Sequence, residues 1–304
     1  MILVGRKVDL ETRRGCGVLW GMRRACRDVA VLAFDPPRAS PSRDDVLRAV
    51  DGRRVFLLKV THVDLERVGW VTEATDATYV TFDLSSRAAI ERAAMCRRAI
   101  ASGVEATEEF LGAGVPSIQL LQGWRPQHWD RDVQPSNSVL PQLAFTGRMS
   151  RDREAVVAAV RRAGVPVRDE VAYLEDAAQL YRESAAVLCP GPIPPDKGSK
   201  PAELFSNRLQ RVMVAGGAPL QRWSESVSGI FPHVPTWRTA GDLVELAALY
   251  MGNAQARAAL VADCREVAQQ YRWDLVAARW LAWAREEALP DEPPEVAWWA
   301  ARSS

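Results

Sequence analysis

The chain has 304 residues, 48% apolar and 25% charged, which is enough apolar mass for a buried core and excludes a disordered chain. Its 39 basic and 38 acidic residues nearly cancel to a formal net charge of +1, so the total demands neither nucleic acid nor an anionic membrane. Five scattered cysteines (Cys16, Cys26, Cys96, Cys189, Cys264), never spaced C-x-x-C, exclude a disulfide scaffold or zinc knuckle and fit a reducing compartment.

In chain order, MILVG reads as a buried strand, followed by a helix over Gly15–Arg27 and a strand in VAVLAF. Further strands are predicted in RVFLLKV and ATYVTF, then a long helix over Ser85–Arg98 and a strand in SIQLLQG. A polar, proline-marked stretch, WRPQHWDRDVQPSNSVLPQ, interrupts this rhythm, and the pattern then restarts. LAFTG, VPVRD, AVLCPG and APLQR read as strands, with helices in DREAVVAAVRRAG, DAAQLYRESA and the segment after Ser206. From about Ala240 to Trp299 the chain reads as mostly helical, and the pair Trp298-Trp299 in the tail reads as an anchor onto the body.

Short strands alternating with longer helices predict an α/β protein with parallel sheets. The restart predicts two Rossmann-like lobes facing across a cleft, with C-terminal helices. The expected divisions are an acceptor-side lobe at 1–135, a nucleotide-binding lobe at 136–285 and a tail at 286–304. No run is apolar enough to span a bilayer, and the N-terminus lacks a signal-peptide pattern, so a cytoplasmic protein without integral membrane contact is expected.

The most informative stretch is KPAELFSNRLQRVMVAGG, from Lys200 to Gly217. It resembles the donor-binding signature of two-lobed (GT-B) glycosyltransferases, Glu-x-Phe-Gly, four residues, Glu-Ala-Met-Ala-x-Gly. Glu203, Phe205, Met213 and Gly216 fall in register, with Ser206 at the family's glycine. The Ser-Asn-Arg run followed by a Gly-Gly is similar to the spore-maturation-type branch, within the group 1-like, family 4-like enzymes. GVPSIQLLQG, AFTGRMSRDREAVVAAVRRAGVPV and the closing segment from Gly229 to Trp273 resemble the same branch, in the same order. The resemblance covers about Gly114 to Trp283. It departs at Arg211, which stands where the family has a second glutamate, usually assigned to the donor's ribose.

The resemblance implies transfer of a sugar from a nucleotide sugar, UDP- or GDP-linked, to an acceptor hydroxyl, with no metal and no resident cofactor. The donor-binding residues expected on it are Arg148, Glu203, Ser206, Asn207, Arg208, Arg211, Gly216 and Gly217. Arg208 suits a diphosphate because a guanidinium binds two oxygens at once and a helix start adds free N–H groups. Arg148, after the LAFTG strand, is a second phosphate candidate. Lys197 and Lys200 flank a proline-rich loop placed to cover the donor. No D-x-D occurs, and the histidines His62, His128 and His233 are far apart in sequence.

On the acceptor side, His62 and Asp83 follow predicted strands, where sheet-end residues orient or deprotonate a hydroxyl. Gly15, Gly17 and Gly21 allow close approach of a ligand to the first helix. The acceptor is read as a carbohydrate or small molecule. A hydroxymethylated base in DNA is the runner-up, suggested by the arginine pairs of the first lobe (Arg13-Arg14, Arg23-Arg24, Arg53-Arg54). Two other classes stay open: a scaffold that kept the fold and lost transfer, and a sugar-nucleotide epimerase.

Overall fold

The computed structural model describes residues 1–5, 16–34, 41–58, 60, 63–82, 86–126, 139–147, 149–170, 175–190 and 207–303. These residues form two compact units, one of residues 1–123 and 273–304 and one of residues 124–272.

In the first unit six strands form a wholly parallel sheet: β1 Ile2–Gly5, β2 Ala30–Ala33, β3 Val55–Leu58, β4 Ala77–Thr81, β5 Arg98–Ala101 and β6 Ser117–Gln119. Their order is β2-β1-β3-β4-β5-β6. Apolar side chains point to both faces, as a doubly covered parallel sheet requires. Val55 and Leu57 join one core with helices α2 (Arg43–Val50), α3 (Leu65–Ala74), α4 (Arg87–Ala93) and α5 (Val104–Gly112). Phe56 and Leu58 face the other way, into a core shared with α1 (Cys16–Ala25) and α12 (Trp273–Ala284). Each such fully buried side chain contributes about 1.5–3 kcal/mol. Helix starts are set by polar caps: Ser42, Asp64 and Ser86 accept from the N–H groups of Asp45, Arg67 and Ala89.

The predicted helix over Ser85–Arg98 is shorter than expected. It ends at Ala93, and Arg98–Ala101 instead forms β5, followed by α5. RAIA carries one β-branched residue and no alternation, so its own preference is weak. Parallel pairing with β4 on one side and β6 on the other holds it in the sheet.

The second unit contains a five-stranded parallel sheet in the order β11-β10-β9-β7-β8. Its strands are β7 Leu140–Thr146, β8 Val167–Glu170, β9 Ser184–Cys189, β10 Pro219–Arg222 and β11 Thr236–Trp237. The helices are α6 Arg151–Arg162, α7 Glu175–Glu183, α8 Asn207–Ala215, α9 Glu225–Ile230, α10 Ala240–Gly252 and α11 Ala254–Ala268. Strand β9 is buried at all six positions. Helix α10 begins with a reciprocal capping box between Thr239 and Asp242.

The division differs from the expected 136–285 at its C-terminal end. Helix α12 packs on the first unit, where Trp273 and Trp280 join the core with Phe56, and α13 (Pro294–Ser303) follows it there. Buried Glu295 of α13 accepts a hydrogen bond from the Leu121 N–H (3.1 Å), so the tail is tied to the first sheet. Gly17 and Gly21 explain the α1–α12 contact. A Cβ at Gly17 would stand 2.2 Å from the Trp273 indole nitrogen, and one at Gly21 would stand 2.2 Å from the Trp273 carbonyl oxygen. These glycines serve helix packing rather than approach of a ligand. Gly15 lies outside the described residues.

Candidate ligand site at the carboxyl edge of the second sheet

Open parallel sheets bind ligands beyond the carboxyl ends of their strands, where the strand order reverses. In the second sheet that point lies between β7 and β9, which end at Thr146 and Cys189. Continuing the register of Ala144 with Val187 sets Thr146 opposite Cys189, and Cys189 in turn pairs with Gln221 of β10.

Just past β7, Gly147 has φ 113°, a conformation that favours glycine. A Cβ there would stand 2.5 Å from Nη2 of Arg208. The missing side chain therefore makes room for a guanidinium laid across the strand end. Arg208 belongs to the first turn of α8, and its Cζ lies 5.1 Å from the centroid of the buried Phe145 ring. Arg211 follows one turn later on the same helix face.

Beside Thr146, the Tyr181 hydroxyl shares a 2.5 Å hydrogen bond with the threonine hydroxyl. Burial raises the Tyr181 pKa, opposed by that hydrogen bond and by the charges of Arg208 and Arg211. Burial likewise pushes the Cys189 thiol up to about 12 against the pull of Arg208, so it stays a neutral wall. Arg153, in the first turn of α6, has its pKa lowered by burial and by the nearby Arg208 charge. Arg208 thus acts on Tyr181, Cys189 and Arg153 alike, and Arg211 on Tyr181. Ser150, which precedes α6, makes no side-chain cap hydrogen bond, and its buried Oγ has no partner among the described residues. Arg208, Arg211 and Arg153 together make this strand end electropositive, and the planar N–H forks of guanidiniums suit an anion.

Of the sequence-expected donor residues, the structure brings Arg208 and Arg211 to this edge, with Asn207 opening the helix that carries them. Gly216 and Gly217 sit at the other end of α8. Gly216 (φ 81°) ends the helix, and the Gly217 N–H closes it by donating to the Val212 carbonyl (3.0 Å). A Cβ at Gly217 would stand 3.0–3.1 Å from Val212, Tyr181 and Val187, so this glycine lets α8 and α7 close on β9. Arg148, Glu203, Ser206, Lys197, Lys200, His62, Asp83 and His128 lie outside the described residues. Arg153, Thr146 and Tyr181 escaped the sequence reading. Arg153 was the traceable one, lying six residues past the Gly147 turn in GRMSRDR.

At the equivalent edge of the first sheet, the strand order reverses between β1 and β3. There Arg92, 7% exposed, donates Nε to the carbonyls of Val60 (2.9 Å) and Val63 (3.0 Å) and Nη1 to that of Ala88 (2.9 Å). Nη2 also donates to Val63. This guanidinium ties α4 to Val60 and Val63, which follow β3.

Among the described residues, no helix is long and apolar enough to cross a membrane, and no group of His, Cys, Asp or Glu side chains is placed to hold a metal ion.

No known family profile matches the chain, and no curated protein matches it in sequence. Solved structures do match. HepE of Anabaena, in complex with UDP and glucose, superposes with a TM-score of 0.64 at 13% identity, over 94% of this chain and 99% of that one. AviGT4, a glycosyltransferase involved in avilamycin A biosynthesis, gives 0.59 at 13% identity over 94% and 97%. A putative UDP-N-acetylglucosamine 2-epimerase from Listeria monocytogenes gives 0.54 at 11% identity over 95% and 98%. With its two parallel sheets, the chain has the GT-B fold. That fold carries transferases and epimerases alike, so the reaction must be argued from the site.

Proposed function

We propose that this chain is a glycosyltransferase that moves a sugar from a nucleotide-sugar donor, UDP- or GDP-linked, to an acceptor hydroxyl in the cytoplasm. The observation that carries the reading is Arg208 lying across Gly147 at the strand-order reversal, with Arg153 and Arg211 beside it. The similar fold in HepE holds UDP and glucose, a ligand of this chemistry. The motif order from Gly114 to Trp283 favours the spore-maturation-type branch within the fold.

Transfer breaks the bond between the anomeric carbon and the diphosphate and forms one to the acceptor oxygen. Negative charge grows on the leaving diphosphate, and fixed guanidiniums lower the barrier by meeting it where it develops. Arg208 is the principal phosphate ligand in this reading, with Arg153 and Arg211 completing the positive field and Arg148, Glu203, Ser206 and Asn207 added from the family motif. Side-chain cations supply the neutralising charge, which suits a metal-independent transfer. The proton lost by the acceptor needs a base, and His62 and Asp83 are assigned that role. A carbohydrate or small-molecule acceptor is preferred over a hydroxymethylated base in DNA.

The test is thermal unfolding with UDP, GDP, UDP-glucose and GDP-mannose, in the wild type and Arg208→Ala. A ligand at 100 times its Kd stabilises by about 2.7 kcal/mol. The wild type should show a shift of that kind with a matching donor, and Arg208→Ala should lose it. A wild type indifferent to all four overturns the donor reading. Nucleotide binding with no turnover of any donor would favour the scaffold, a reading permitted by Arg211 at the family's glutamate position. An altered nucleotide sugar formed without acceptor would identify an epimerase.

A further inference from the structure

The edge that holds Arg208 carries a second feature further along. Beyond β10 the ladder continues by one residue, with the Trp223 N–H donating to the Trp237 carbonyl (2.9 Å). Gln221 pairs with Cys189 on one side and Thr236 on the other. Trp223 and Arg238 each lie two residues past that row, just beyond the carboxyl ends of β10 and β11. Strands lie about 4.8 Å apart, which puts β10 roughly 10 Å along the edge from the Gly147 turn.

Trp223 is 36% exposed, and the Arg238 guanidinium carbon stands 3.5 Å from its ring centroid. The Arg238 main-chain N–H donates to Asp242 (2.9 Å), while its guanidinium lies over the indole. Neither that guanidinium nor the Trp223 indole N–H has a hydrogen-bond partner among the described residues. Gln221 completes the group. It is 4% exposed, its Nε2 donates to the Arg222 carbonyl (3.1 Å), and its Oε1 has no partner among the described residues.

This set combines one apolar ring face, two unpartnered donor groups and one unpartnered acceptor. A pyranose ring matches it: its C–H face is apolar, and its hydroxyls both donate and accept. A nucleobase would use the same remaining ring face, so UDP and GDP alone are titrated beside the nucleotide sugars to separate the two. We infer that Trp223, backed by Arg238 and with Gln221 beside it, is a platform for a sugar ring, either the donor's sugar or that of a carbohydrate acceptor. The inference rests on the donor reading above for the phosphate end of the ligand.

The test is calorimetric titration of wild type, Trp223→Ala, Trp223→Phe and Arg238→Ala with UDP, GDP, UDP-glucose, UDP-N-acetylglucosamine and GDP-mannose. Saturation-transfer NMR with maltotriose and cellotriose, in the presence of UDP, covers the acceptor source. Trp223→Ala should bind UDP and GDP as the wild type does. It should bind the nucleotide sugars, or the trisaccharides, about 2- to 12-fold more weakly. Loss in the first arm assigns the platform to the donor's sugar, and loss in the second to the acceptor's. Trp223→Phe, which keeps an aromatic face, should stay near wild type, and Arg238→Ala should weaken the same arm as Trp223→Ala. Equal weakening of UDP or GDP alone would make this a base platform and overturn the proposal, as would unchanged binding in both sugar arms. A wild type that binds neither UDP nor GDP, or an Arg208→Ala that keeps such binding, instead breaks the donor reading. The trisaccharide arm still judges the platform in that case.

Discussion

The two units use the same two residue types, glycine and arginine, for opposite ends. In the first, Gly17 and Gly21 let Trp273 press onto α1, and Arg92 is buried against the carbonyls of Val60, Val63 and Ala88. In the second, Gly147 opens a strand end and Arg208 lies across it, within range of another guanidinium. The first arrangement completes hydrogen bonds within the protein. The second concentrates positive charge at a strand end. Composition cannot tell these uses apart; the surroundings of each guanidinium can.

Gly21→Ala should have the largest effect. Its Cβ would meet Trp273 main chain at 2.2 and 2.6 Å, so α1 and α12 must separate, at a cost of about 3 kcal/mol in urea unfolding. A loss under about 1 kcal/mol would show that the helices can slide, and would remove glycine packing from the comparison. Arg92→Met comes next. It removes the guanidinium bonds to the carbonyls of Val60, Val63 and Ala88, of which Val60 keeps the Val63 N–H as a donor, with an expected loss of about 1–3 kcal/mol by the same measurement and nucleotide binding unchanged. If it lost nucleotide binding at wild-type stability instead, the two arginines would not differ in kind.

Gly147→Ala forces a side chain into φ 113° and against Nη2 of Arg208. It should cost about 1–3 kcal/mol and also abolish the thermal shift given by UDP or GDP. Arg208→Ala should have the smallest effect on stability, within about 0.5 kcal/mol, since Arg208 is only half-buried and the change gives up a contact on Phe145 rather than a core side chain. Its signature is the contrast between near-normal unfolding and lost nucleotide stabilisation. A large destabilisation without ligand would place Arg208 with Arg92 as a structural residue.

Much of this fold was legible in the sequence because parallel strands, buried on both faces, appear as apolar runs separated by helical periods. MILVG, RVFLLKV, LAFTG and AVLCPG carry that signal themselves. RAIA does not, and its strand exists only because β4 and β6 flank it. The return of α12 to the first unit was illegible for a similar reason. WDLVAARWLAWA reads as a helix with a generous apolar face, and nothing local says which sheet that face will cover. Of the charged cluster, Arg208 and Arg211 were legible because they stand inside a motif. Arg153 and Tyr181 depend on where α6 and α7 lie against β7, a long-range fact that single-residue signals do not carry.

The route of the chain has a consequence for biosynthesis. The second unit is one continuous segment, and its two ends meet where the Trp124 N–H donates to the Tyr271 carbonyl (2.9 Å) and Trp124 bridges to Arg272. The first unit is split around it, and one of its sheet faces has only α1 for cover until α12 has been made. On the ribosome the middle of the protein can therefore mature before its beginning. The earliest strands, with Phe56 and Leu58 only partly covered, must be kept from misassociation until α12 emerges.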